Sequence, residues 1–139
     1  MNNANKTLRY LYFITLFFIT LSGFAQMPIF SRYYIASLPG LGWLGEFYVS
    51  HRIHYIFAVI LSGLAAYMLV DFFLGKMNSR KITRAGVAKA GIIAGLIITG
   101  SLMMVKNFTG TPFSNGVIIF LDVSHLVFCM GLLFLTAME

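Results

Sequence analysis

Residues 117–138 read VIIFLDVSHLVFCMGLLFLTAM, an unbroken apolar run interrupted only by a carboxylate, Asp122, and a histidine, His125. At 1.5 Å per residue, a helix of this length reaches about 30 Å, the thickness of a bilayer's hydrocarbon core. Three more runs of this kind lie at 8–25, 50–74 and 85–105, the second starting near Val49 or Ile53. Together they use up most of the 139 residues. The expected fold is therefore all-α, an integral membrane four-helix bundle forming a single transmembrane domain over 1–139.

Composition agrees. The chain is 59% hydrophobic and 10% charged, against about 25% charged in soluble domains. Its formal charge of +6 does not point to nucleic acid, because the basic residues cluster at the ends of apolar runs, where topology signals belong. A soluble enzyme is excluded for want of a charged face to solvate it. Cys129 is the only cysteine, inside the fourth run. It allows neither an intramolecular disulfide nor a cysteine-ligated metal centre, and reads as a small buried hydrophobe.

The N-terminus imitates a secretory signal: Lys6 and Arg9, an apolar stretch, then Gly23-Phe24-Ala25 before Gln26. The stretch is long and rich in aromatics, so it is read as a retained first span. The segment 26–49 holds the structure breakers Pro28, Pro39, Gly40, Gly42 and Gly45. It also holds Phe30, Tyr33, Tyr34, Trp43, Phe47 and Tyr48, the composition of an interfacial belt. It is expected to be a loop with a short helix in the headgroup region. Gly75 and Asn78 end the second span, and Thr111-Pro112 and Asn115-Gly116 signal turns before the fourth. No internal repeat is evident.

Lys6 and Arg9, with Lys76, Arg80, Lys81, Arg84 and Lys89 of the second connection, outnumber Arg32, Arg52 and Lys106 on the other side. The positive-inside rule then predicts both termini in the cytoplasm; the expected location is the bacterial inner membrane, with several passes. All three histidines, His51, His54 and His125, fall toward the outer side.

Ionisable groups inside spans are expensive and point to function. His51 and His54, at i and i+3, project from one helix face, so they cannot approach a porphyrin from opposite sides. Bis-histidine haem therefore needs one of them together with His125. His54 is preferred for its depth, with His51 as the alternative ligand or a contact for a propionate or a quinone oxygen. Ala58, Ser62 and Ala65 follow His54 at helical spacing and make a narrow face. In the third span Gly91-x-x-x-Gly95 is the tightest small-residue pair, read mainly as helix packing. Asp122 is expected to accept a quinol proton, to bond His51, or to pair with Lys106. Arg52, Arg32 and Lys106 are candidates for neutralising propionates. Asp71 is expected to be solvated or paired with Lys76.

Four spans with a histidine at the outer start of the second and another in the fourth resemble the cytochrome b subunits of formate dehydrogenase and its relatives. His51-Arg52-Ile53-His54-Tyr55, after Pro39-Gly40-Leu41-Gly42-Trp43, is similar to small b-type subunits that sit beside iron–sulfur or multihaem c-type proteins. The resemblance implies haem b and exchange of electrons with menaquinone or ubiquinone. Such subunits typically hold two haems; here the first span has no histidine, which leaves only the outer one. A quinone bound near His51, Asp122 and Lys106 would pass electrons by way of haem to an outer-side partner. The rival expectations are a haem-free quinone-binding anchor and a non-redox structural or transport subunit.

Overall fold

A backbone in hydrocarbon must satisfy its own hydrogen bonds, and for an apolar chain without long strand alternation the helix is the available solution. The computed structural model describes residues 3–27, 29–76, 83–107 and 113–138, and among these it is all-helical. In order come α1 (Asn3–Ala25), α2 (Ile29–Arg32), 3-10 turns at Ile35–Ser37 and Gly42–Gly45, α3 (Phe47–Asp71), α4 (Arg84–Val105) and α5 (Asn115–Ala137). Four helices are long and apolar enough to cross a membrane. Arg80, Lys81, Asn78, Pro28, the Thr111-Pro112 turn signal and the Lys76 side chain lie outside what is described.

The ends of the helices follow local chemistry. α1 begins five residues before the expected start, because polar Asn and Lys side chains can extend a helix beyond its apolar run. It closes at Ala25, where Gln26 N and Met27 N donate to Gly23 O and Phe24 O at 3.2 and 3.0 Å. α3 begins at Phe47, inside the segment expected to be loop. The Ser50 hydroxyl donates to Trp43 O at 3.1 Å, tying the aromatic segment to the first turn of the helix. α3 then runs into a single π-turn, Phe72–Lys76, which contains Gly75. Thr83 caps α4, its Oγ1 accepting from Gly86 N at 3.1 Å. Asn115-Gly116 is not a turn but the first turn of α5, with Ser114 at the cap position. Turn-favouring residues are tolerated there because the first helical N–H groups have no intrahelical partner in any case.

The short elements between α1 and α3 agree with a broken segment. Gly40 has φ +85° and Tyr34 has φ 57°. The left-handed value at Gly40 is open to a residue without Cβ, whereas at Tyr34 it carries a steric cost.

The chain divides into two compact units, Met1–Leu74 and Gly75–Glu139. The first is built on α1 packed against α3, the second on α4 against α5. In the first unit Phe18 stacks on Phe57 with centroids 4.8 Å apart and planes at 10°. In the second, Gly95 faces Phe128 and Gly131 faces Ile92. Contacts run in opposite sequence directions on the two partners, so each pair is an antiparallel hairpin.

The glycines of α4 separate on contact. A Cβ at Gly95 would lie 2.8 Å from the Phe128 ring, while nothing lies within 4 Å of one at Gly91. The close approach expected of the Gly91–Gly95 pair therefore belongs to Gly95 alone, and its partner is an aromatic ring edge.

Candidate functional site

The first unit places His51 and His54 on α3 opposite the last turns of α1. His54 Nδ1 lies 3.0 Å from Ile19 O and 3.3 Å from Ser22 Oγ. A carbonyl oxygen can only accept, so the Nδ1–H donates and the neutral ring carries its proton on Nδ1. The Ser22 hydroxyl donates to Phe18 O at 2.6 Å, which turns its lone pairs toward the imidazole. The ring fits because the next residue is Gly23: a Cβ there would come within 3.2 Å of His54 Cε1.

His125 in the second unit is likewise held at Nδ1, beside a glycine. Its Nδ1 lies 2.8 Å from Thr99 Oγ1, and that hydroxyl lies 2.8 Å from Gly95 O. The next residue is again a glycine, Gly100, whose Cβ would be 3.4 Å from His125 Cε1. Ser22-Gly23 on α1 and Thr99-Gly100 on α4 thus serve one histidine each, on the helix that follows in the hairpin. The recurrence is two residues wide, too short to show as a repeat in the sequence. Ser22 is fully buried and Thr99 nearly so, so water does not compete for these bonds.

His54 begins the eighth position of α3, about 10 Å along the helix. That is deeper than a start near Val49 or Ile53 implies, because α3 starts at Phe47. His125 is the eleventh residue of α5, about 15 Å along.

His51 has a different setting. Its Nδ1 is 2.9 Å from Gln26 Oε1, so the side-chain carbonyl of Gln26 takes the Nδ1 proton. Its ring stacks on Phe47 (5.3 Å, 19°) and tilts against Tyr55 (4.3 Å, 54°), one helical turn to either side. Gln26 lies just past the end of α1 and was not singled out in the sequence. A polar residue one turn beyond the buried Ser22 is the signal that could have found it.

Asp122 accepts a 2.7 Å hydrogen bond from Lys106 Nζ, and both are half-buried to exposed. Within the second unit the expected pairing of Asp122 with Lys106 is observed. Arg52 and Arg32 are exposed. Ser62 on the Ala58–Ala65 face donates back to Ala58 O at 2.8 Å. Cys129 is a free, half-buried thiol. Among the described residues there is no group of three or more His, Cys, Asp or Glu side chains that could hold a bare metal ion. A porphyrin brings four nitrogens of its own and asks the protein for axial ligands alone.

A metal-ligating histidine typically donates its other ring N–H to a carbonyl, carboxylate or hydroxyl, which fixes ring orientation and tautomer. The bond to Ile19 O fixes ring orientation and tautomer at His54, so the lone pair of the neutral ring is on Nε2. No protein family, curated protein or solved structure matches this chain.

Proposed function

We propose that the chain is a membrane-anchored b-type cytochrome subunit, with His54 and His125 as the axial ligands of one haem b. The observation that carries this reading is the matched mounting of the two imidazoles. Each is held at Nδ1 by the first helix of its own hairpin, beside a glycine. The pairing of the two as ligands rests on the sequence, where they are the histidines set into separate apolar spans.

A bis-histidine haem supplies one-electron transfer. The chain supplies what surrounds it: imidazoles in the Nδ1–H tautomer, apolar helices that keep water away, and cations among Arg32, Arg52 and Lys106 for propionates. His51, oriented by Gln26 and stacked on Phe47, is the group proposed to meet a quinone headgroup. Its Nδ1 proton is committed to Gln26, so Nε2 would be the atom to accept a proton from a menaquinol or ubiquinol. An iron–sulfur or multihaem c-type protein on the outer face would be the redox partner. The protein would lie in a bacterial cytoplasmic membrane with both termini inside.

The test is a reduced-minus-oxidised absorption spectrum of the purified protein, with His54→Ala and His125→Ala alongside. A low-spin b-type spectrum that is lost in both variants is the expected result. A folded protein that shows no haem signal when supplied with haemin would refute the reading and favour a haem-free quinone anchor.

A further inference from the structure

The two imidazole mounts differ in what receives the Nδ1 proton. At His54 it is a main-chain oxygen, Ile19 O, which no side-chain substitution removes. At His125 it is the side chain of Thr99. A hydroxyl has one proton to give. The Thr99 oxygen lies 2.8 Å from Gly95 O and 3.3 Å from Leu96 O, so its proton goes to the carbonyls of its own helix. With His125 ligating through Nε2, the order is fixed: Nδ1–H to Thr99 Oγ1, then Thr99 O–H to Gly95 O. Successive hydrogen bonds pointing one way polarise each other, more so in a buried setting. Thr99 is 8% exposed.

We propose that Thr99 is a positioning residue that tunes the reduction potential of the haem by drawing on the Nδ1 proton of His125. This rests on the haem reading above. A stronger acceptor at Nδ1 makes the ring a better electron donor at Nε2, which favours ferric over ferrous iron. Ser22 resembles Thr99 in sequence context but acts differently. Its oxygen is the longer of two contacts at His54 Nδ1, 3.3 Å against 3.0 Å for Ile19 O. Removing it leaves the main acceptor in place.

The experiment is a potentiometric titration of the purified holoprotein, with low-temperature EPR of the ferric form, for wild type, Thr99→Val, Thr99→Ser and Ser101→Ala. Outer-shell partners commonly carry a 10- to 100-fold effect on metal affinity. A tenfold loss confined to the ferric form would raise the potential by about 59 mV. Thr99→Val is expected to keep a low-spin spectrum, raise the potential by that order and shift the ferric g values. Thr99→Ser, which keeps the hydroxyl, and Ser101→Ala, whose hydroxyl bonds only its own helix at Ile97 O, should both stay near wild type. Thr99→Ala serves where the valine variant does not accumulate. An unshifted potential in Thr99→Val or Thr99→Ala, or an equal shift in Ser101→Ala, overturns the role of Thr99 and leaves the haem reading standing. Wild-type protein without haem overturns both.

Discussion

Gly95→Ala should loosen the α4–α5 hairpin, and Gly91→Ala should not. A Cβ at residue 95 would sit 2.8, 2.9 and 3.1 Å from Cε2, Cζ and Cδ2 of Phe128. Carbon atoms pack best at about 3.5–4.0 Å, so the ring edge or the helix must retreat by about 0.7 Å. A phenyl ring is rigid, and leaving its rotamer well costs about 0.5–1.5 kcal/mol. Overpacking of this kind costs about 1–3 kcal/mol in total. Against it stands about 0.5–1 kcal/mol gained by alanine over glycine in a helix. The net is a loss between about 0 and about 2.5 kcal/mol, with a midpoint of about 1 kcal/mol. At residue 91 nothing lies within 4 Å, so only the gain of about 0.5–1 kcal/mol remains. The assay is equilibrium unfolding in mixed micelles at rising dodecyl sulfate, followed by far-UV circular dichroism. Phe128→Leu, which withdraws the ring edge, should restore most of the loss when combined with Gly95→Ala. A Gly95→Ala protein as stable as Gly91→Ala would refute the packing argument.

Two further outcomes are expected from the same titration. Gly23→Ala should cost about 1 kcal/mol, because its Cβ would meet His54 Cε1 at 3.2 Å and the ring is tied to Ile19 O. Gly100→Ala meets His125 at an ordinary 3.4 Å and should keep the helix gain of about 0.5–1 kcal/mol; equal effects at the two positions would contradict the distances. The Lys106–Asp122 pair has side chains 20% and 45% exposed, so a double-mutant cycle with Lys106→Met and Asp122→Asn should give under about 1 kcal/mol of coupling. Coupling well above that would mean the pair is shielded in a way its exposure does not show.

The four helices were legible because a membrane span is a local property. Length and apolarity decide it, and both can be read off 117–138 without knowing any neighbour. The ends were less legible. Phe47 and Asn115 start helices inside segments marked by glycine and turn residues, since the first turn of a helix tolerates such residues and apolarity says nothing about where hydrogen bonding begins. Three histidines and Asp122 stood out because charge in an apolar run is conspicuous. Ser22, Thr99 and Gln26 did not, because small polar residues are common in spans and usually bond their own helix, as Ser62 and Ser101 do.

By itself, then, the sequence determined the solvent, the number of spans and which side chains are costly enough to need a reason. It could not decide partners. A helix tells which residues share a face, but which facing helix supplies the acceptor depends on how two helices meet. Only the tertiary structure set His54 against Ile19 O and Gly23, His125 against Thr99 and Gly100, and His51 against Gln26. It also set Gly95 apart from Gly91, two residues that the sequence spacing treats alike. The physical reason is range: hydrophobic transfer acts on each residue singly, whereas hydrogen bonds and close packing act over about 3–4 Å between residues far apart in the chain.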